Sequence, residues 1–143
     1  MAIGPPAIPA LREALHAERT ADPCAKALGE IGGGDAMAIP IEGLRDPVSR
    51  VRDKCALSLG LMKAEAASAV PGLVVLLGNA TPTARYSAAL ALGRIGGGIV
   101  GLPDDRRPAG VLDAAISALK GAAEDPDEKV RQAAHAALAR IRR

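Results

Sequence analysis

One short motif recurs along this chain and constrains its fold more than any other feature. Residues 27–34 read ALGEIGGG and residues 91–98 read ALGRIGGG, with a weaker copy, LSLGLMKA, midway between them at 57–64. A fourth, partial copy lies at 138–141. Tandem copies at a spacing of roughly 30 residues are typical of arrays in which each unit packs only against its neighbours. The sequence therefore predicts a tandem array of one small helical unit.

Small aliphatic residues must supply the core of this array. Aromatic residues make up 1% of the 143 residues, and the chain has no Trp and no Phe. Ala, Leu, Ile and Val are therefore the core residues, and such side chains suit closely stacked helices better than a sheet sandwich. A chain of this length is expected to form a single domain.

Proline and glycine mark the predicted ends of the first helix in each unit. Asp-Pro at 46–47 and at 125–126 places a carboxylate at a helix start and a proline in the first turn, where its missing N–H is tolerated. The glycine runs at 32–34 and 96–98 are expected to end the first helices of their repeats, because glycine adopts the left-handed cap conformation without steric cost.

Three equally spaced prolines predict where the second helices start. Pro9, Pro40 and Pro71 lie 31 residues apart (40 − 9 and 71 − 40), and proline is tolerated in the first helical turn. The spacing fails in the third copy, where 97–110 is interpreted as an insertion loop between the two helices of one repeat. The predicted organisation is one domain over 1–143, with a half-repeat at 1–19, repeats at about 20–45, 46–79 and 80–124, and a half-repeat at 125–143.

These features resemble HEAT repeats, in particular the short bacterial HEAT-like repeats named after the phycobilin lyases. The shared pattern is an Asp-Pro start, a Val-Arg pair in the first helix and an Ala-Leu-Gly-x-Ile-Gly finish. It is carried by Asp46, Pro47, Val51 and Arg52, by Asp125, Pro126, Val130 and Arg131, and by Arg85 in the arginine slot of the third copy. The resemblance implies an all-α fold, a right-handed α-solenoid of antiparallel helix pairs.

The resemblance also implies a structural role for the Asp and Arg slots. A guanidinium fork bonds carboxylates and carbonyls at the same time, so these slots form a ladder of hydrogen bonds between adjacent repeats. Ala21 occupies the arginine slot of the first repeat, where the ladder is expected to be incomplete. A phosphate-binding stripe is the alternative role for the arginines. The ladder residues are Asp46, Arg52, Arg85, Asp125 and Arg131.

The chain offers few residues for catalysis or metal binding. His16 and His135 lie far apart in sequence, and neither stands in a His-Glu pair of the kind found in the iron-binding HEAT hydroxylases. This argues against that family. Asp104 and Asp105 are followed directly by two arginines, which favours self-neutralising, solvated charge over an acid–base pair. We therefore expect a protein that is not an enzyme and that binds no metal and no cofactor.

Second helices line the concave side of a HEAT solenoid, so the resemblance places partner binding there. Val74 and Val75 stand side by side on a helix whose inward positions are already filled, which indicates an exposed apolar patch. Because the run LVVLL is apolar all round, burial of both valines is the alternative. Apolar residues of the insertion loop likewise either pack against their own array or bind a partner. The candidate partner-binding residues are Arg12, Glu42, Val74, Val75, Val100, Leu102, Arg106 and Arg107.

The leading functional hypothesis is a non-catalytic scaffold that binds a protein or peptide partner of unknown identity. A subunit of a bilin chromophore lyase is the alternative, implied by the family resemblance alone. Nucleic-acid binding is the least favoured class, since the net charge is only +2. No run approaches about 20 apolar residues and no signal-peptide pattern opens the chain, so we expect a cytoplasmic protein without membrane association. The half-repeats at both ends suggest either self-association through the terminal helices or a piece of a longer array.

Overall fold

The computed structural model describes residues 13–14, 16–17, 21–31 and 34–141, and this part of the chain is helical with no strand. Two 3₁₀ segments accompany the helices, one at Lys63–Ala69 and one at Asp104–Arg106. The α-helices of the described residues are α1 (Ala21–Ile31), α2 (Gly34–Gly43), α3 (Ser49–Met62), α4 (Val70–Leu76), α5 (Pro82–Val100), α6 (Val111–Ala122) and α7 (Glu128–Ile141).

The helices form two layers. The first helices of the repeats, α1, α3, α5 and α7, pack successively against one another in one layer. The second helices, α2, α4 and α6, lie against this layer, and α5 contacts helices of both layers. Each repeat therefore buries its apolar side against the next repeat. This arrangement confirms the predicted all-α solenoid.

Ala and Leu make up most of the buried core, as the composition requires. Small side chains allow the first helices to approach closely, and the buried polar group Ser58 uses that proximity. Its hydroxyl donates a hydrogen bond of 2.6 Å to the carbonyl oxygen of Ala25, which links α3 to α1. A buried hydroxyl is stable here because its hydrogen bond is satisfied.

Glycines of α5 serve helix packing, and this differs from the predicted helix end at 96–98. A Cβ on Gly93 would lie 2.8 Å from Cα of Ala137, and a Cβ on Gly96 would lie 2.6 Å from Cγ1 of Ile141. Because packing against α7 stabilises this glycine-rich segment, α5 continues to Val100. The connection predicted at 97–110 is therefore confined to 101–110.

The second helix of the middle repeat is divided in two. Lys63 has φ 53° and ψ −129°, a left-handed conformation that L residues rarely adopt, and the 3₁₀ segment follows it before α4 begins. Pro71 lies in the first turn of α4, as predicted. Pro40 instead lies inside α2, because that helix already starts at Gly34. Pro9 lies outside the described residues.

By length and composition, the stretch Ser49–Leu76 meets the criteria for a membrane span, with a mean hydropathy of 1.5 over its most apolar window. The sequence analysis identified no such stretch. Within the described residues, 44% of that window is buried inside the array, and the helix is broken at Lys63. Burial against neighbouring helices accounts for the apolar character of this stretch.

Candidate functional site

A groove of about 710 Å³ separates α2 from α4 on the layer of second helices. The end of α2, the connection that leads into α3, and α4 together line it. Its lining combines apolar side chains with charged ones, a composition typical of protein-binding surfaces. We call it the second-helix groove and define it by Ile41, Glu42, Asp46, Arg52, Val75 and Asn79.

The predicted valine pair is divided between the core and this groove. Val75 is 77% exposed and lines the groove, whereas Val74 is half-buried and packs against the core. Glu42 is exposed and lines the same groove. Arg12 lies outside the described residues. Two of the candidate partner-binding residues are thus brought together at one surface.

The candidate residues near the end of α5 lie apart from the second-helix groove. Val100 is half-buried against the core, Leu102 is half-buried, and Arg106 is exposed. Arg107 donates hydrogen bonds to the carbonyl oxygens of Leu102 at 3.0 Å and Val100 at 2.6 Å, and it pairs with Asp104 at 3.0 Å. The guanidinium of Arg107 therefore holds the 101–110 connection in shape.

The same turn precedes three of the first helices. At its start a side-chain oxygen accepts the backbone N–H two residues later, at 2.9 Å in each case: Asp46 from Val48, Asn79 from Thr81 and Asp125 from Asp127.

An arginine six residues further along closes each of these turns. Its Nη1 donates to the carbonyl oxygens of the first two residues of the turn, at distances between 2.7 and 3.2 Å. The turn and its arginine therefore form one local unit that each repeat builds for itself. The arginines are Arg52, Arg85 and Arg131.

Arg85 also reaches the following repeat. Its Nε and Nη2 donate to the two carboxylate oxygens of Asp125 at 2.8 and 3.1 Å, and the side chains are 15% and 10% exposed. Burial by itself raises the pKa of Asp125, but hydrogen bonds from Arg85 and from the N–H of Asp127 outweigh it. The pKa of Asp125 is consequently lowered.

Among the described residues, Arg52 of the middle repeat forms no ion pair of this kind with the repeat that follows it. Asn79 occupies the slot held elsewhere by Asp46 and Asp125, and Nε of Arg52 is buried without a hydrogen-bond partner among the described residues. Sequence reasoning missed Asn79, although its position six residues before Arg85 repeats the spacing from Asp46 to Arg52.

A histidine from the predicted half-repeat at 1–19 bonds Asp46. Nε2 of His16 lies 2.8 Å from Oδ2 of Asp46. Burial raises the pKa of Asp46, but the N–H of Val48 and His16 outweigh burial and lower it. No local signal in the sequence connects residues 16 and 46.

A carboxylate partner for Arg52 at position 79 is expected to stabilise the protein. Asn79→Asp keeps the acceptor for the N–H of Thr81 and gives Arg52 a carboxylate partner, so we expect the free energy of unfolding to rise by about 1 kcal/mol. Urea unfolding at pH 7 measures it. Asn79→Ala is the control, since it removes the acceptor and should lower stability by about 1 kcal/mol. If Asn79→Asp is no more stable than the parent, position 79 does not hold the missing partner of Arg52.

A metal centre of the kind found in the iron-binding HEAT hydroxylases is the other site to consider. Within the part of the chain that the structure describes, no group of three or more His, Cys, Asp or Glu side chains could hold a metal ion. His16 is engaged with Asp46, and His135 lies exposed on α7. These residues do not fit an iron site.

Comparison with known proteins identifies the relatives of this chain. The family model described as HEAT repeats matches residues 37–139. Deoxyhypusine hydroxylase of Mus musculus is 34% identical over 114 residues, which are 78% of this chain and 32% of that protein. The structure of human deoxyhypusine hydroxylase in complex with glycerol is 31% identical, with a TM-score of 0.68 over 94% of this chain and 43% of that one. The chain thus spans less than half of these relatives.

A third likeness concerns the fold. The complex of CpcE and CpcF of phycocyanin lyase from Nostoc superposes with a TM-score of 0.79 over 95% of this chain and 78% of that chain, at 20% identity. The backbone of the array is therefore that of the phycobilin-lyase type of repeat, as the sequence resemblance predicted.

The hydroxylase relatives contradict the prediction that the chain is not an enzyme. Sequences 31% and 34% identical to it carry the name of an enzyme, and this overturns the prediction. The prediction relied on the missing His-Glu pair, a test of two side chains, whereas the likeness to the hydroxylase extends over 114 residues. The match to residues 37–139 covers well over half of the sequence, and the chain belongs to the HEAT-repeat family.

Proposed function

We propose that this chain is the partner-binding HEAT array of an enzyme or enzyme complex, and that the second-helix groove binds a segment of the partner protein. The observation that carries the proposal is Val75, an apolar side chain 77% exposed within a groove of about 710 Å³. The hydroxylase relatives support the enzymatic setting. The phycocyanin lyase neighbour is itself a complex of two polypeptides.

The lining of the groove offers apolar and charged contacts. Val75 supplies an exposed apolar side chain, and the exposed Glu42 and Arg45 supply charges of both signs. Burial of the apolar side chain on binding contributes to affinity, while charged residues select the orientation of the partner. The groove is therefore suited to a polypeptide segment with one apolar residue between polar ones.

Val75→Asp is expected to weaken binding of the partner. Burying a valine side chain contributes about 1.5–3 kcal/mol, so its removal should reduce affinity by roughly tenfold to a hundredfold. A photo-crosslinking amino acid at position 75 would capture the partner in lysate of the source cells, and mass spectrometry would identify it. Affinity of the purified partner for the parent protein and for Val75→Asp then measures the effect.

Tyr86 provides a matched control in the other layer. It is 36% exposed on α5 and lines grooves between first helices, so a crosslinker at position 86 should not capture the segment of the partner that position 75 captures, and Tyr86→Asp should not weaken binding of that segment. Identical captures from both positions, or an unchanged affinity of Val75→Asp, would refute the docking role of the second-helix groove. Circular dichroism of each variant verifies folding.

The bilin lyase alternative has no comparable support. Identity of 20% to the phycocyanin lyase complex shows the fold alone, and no described groove has a feature that favours a tetrapyrrole over a polypeptide. Incubation with bilin and a visible absorbance spectrum tests this alternative independently of the crosslinking experiment.

A further inference from the structure

A second groove lies where the first helices end, on a different part of the array from Val75. Its volume is about 610 Å³, and α3, α5 and α7 contribute to it. Glycine forms its floor at positions 60, 97, 98 and 101, and Leu61 and Val100 provide apolar surface. We call this surface the basic groove and define it by its three charged side chains, Lys63, Arg94 and Arg140.

Two of these glycines lie close to the arginines of the groove. A Cβ on Gly60 would lie 3.3 Å from Cδ of Arg94, and a Cβ on Gly97 would lie 3.6 Å from Cβ of Arg140. The stem of Arg94 thus lies close to Gly60 of the neighbouring helix, and Cβ of Arg140 lies near Gly97. An arginine stem can lie along an apolar surface while its guanidinium group stays in solvent, where it is available to a ligand.

Lys63 likewise lies close to a glycine, Gly98. A Cβ on Gly98 would lie 2.8 Å from the backbone nitrogen of Ala64 and 2.9 Å from Cβ of Lys63. Lys63 is the one non-glycine residue in the described part of the chain with a positive φ, 53°. Such a conformation persists only where the surrounding packing determines it. The third cation is therefore held beside α5.

Within the described part of the chain, these cations have no counter-charge. No Asp or Glu lines the groove, and among the described residues none of the three side chains forms an ion pair or a hydrogen bond. The repeat slot that contains Arg94 and Arg140 holds Leu61 in the middle repeat and Glu30 in the first. In this slot, positive charge is therefore confined to the third repeat and the last half-repeat.

We propose that the basic groove binds an acidic segment of the partner protein, with carboxylates on Arg94 and Arg140 and an apolar side chain beside Leu61. The inference rests on the proposed function in one respect, namely that the partner is a protein. Charge-assisted hydrogen bonds from guanidinium to carboxylate are among the strongest available. A nucleic acid is disfavoured, because the sole aromatic residue, Tyr86, lines other grooves and cannot stack on a base here.

A labelled octapeptide that contains the sequence Glu-Leu-Glu tests the proposal by fluorescence anisotropy at an ionic strength of about 0.15 M, where the Debye length is about 8 Å. We expect saturable binding, and the double variant Arg94→Gln, Arg140→Gln should bind at least about tenfold more weakly, since a single guanidinium–carboxylate pair already contributes on that scale. Gln retains much of each stem, and the single variant Arg140→Gln changes an exposed residue, so folding is preserved.

The matched control is Arg106→Gln, Lys120→Gln, which removes the same charge from exposed positions outside the groove. It should bind the peptide within about twofold of the parent, because distant surface charges are screened. Equal weakening in both double variants would overturn the proposal, and so would equal binding of a peptide with glutamine in place of glutamate. Tighter binding of a duplex DNA oligonucleotide, abolished in the Arg94→Gln, Arg140→Gln variant, would assign the groove to nucleic acid.

The two grooves are tested separately. Val75→Asp should bind the acidic peptide normally, since Val75 does not line the basic groove. Failure of the peptide to bind, with specific crosslinks from position 75, would refute this inference and leave the proposed function standing. Peptide binding without any specific crosslink from position 75 would refute the role of the second-helix groove alone.

Discussion

Gly93→Ala is expected to destabilise the protein by about 3 kcal/mol, although alanine is normally the better helix residue. The added Cβ would lie 2.7 Å from Cβ and 2.8 Å from Cα of Ala137. Backbone and a one-carbon side chain cannot move aside, so α5 and α7 must separate, which weakens their packing along the whole interface. Thermal unfolding should show a midpoint lower by roughly 10 °C for a chain of this size.

Gly121→Ala is the matched control, because it makes the same change on α6 where no atom lies within 4 Å of the new Cβ. Helix propensity then acts alone, and we expect stability to rise by about 0.5 kcal/mol. Stability changes of opposite sign for the two substitutions would show that packing of Gly93 against Ala137 sets the spacing between α5 and α7. A neutral or stabilising effect of Gly93→Ala would contradict the close packing described for this pair.

Arg85→Met is expected to lower the free energy of unfolding by about 2 kcal/mol. It keeps an apolar stem but removes the donors to Asn79 and Ala80 and leaves the carboxylate of Asp125, 10% exposed, without its partner. Arg106→Met, on an exposed residue of the 101–110 connection, should change stability by less than about 0.5 kcal/mol. Urea unfolding of both variants at pH 7 measures the difference.

The pH dependence of that difference distinguishes an ion pair from simple packing. Because the pKa of Asp125 is lowered in the folded protein, its contribution is present above the pKa of the unfolded chain and is lost as the pH falls through the lowered value. We therefore expect the stability difference between the parent and Arg85→Met to decrease as the pH falls below about 4, down to the part that comes from the hydrogen bonds of Arg85 to Asn79 and Ala80. A difference that stays constant down to about pH 3 would show that the ion pair with Asp125 does not contribute.

The sequence predicted features that repeat within one unit. The motif at 27–34 and 91–98 predicted stacked first helices, and the Asp-Pro and Val-Arg spacing marked the turns that Arg52 and Arg131 close. Such features depend on hydrogen bonds between residues five or six apart, so a local pattern contains the information. The prediction that the chain is not an enzyme was wrong, because a search for one catalytic pair ignores a likeness that extends over 114 residues.

The repeat was thus sufficient to specify the all-α solenoid, and the composition was sufficient to specify a core of small aliphatic residues. Packing between repeats settled the rest: α5 runs through its glycines, Val75 is exposed while Val74 is not, and Arg52 lacks the carboxylate which Arg85 has 40 residues along the chain. The physical reason is distance along the chain. Helix spacing and side-chain pairing between repeats arise from interactions between adjacent units, and a periodic pattern specifies the unit without specifying those interactions.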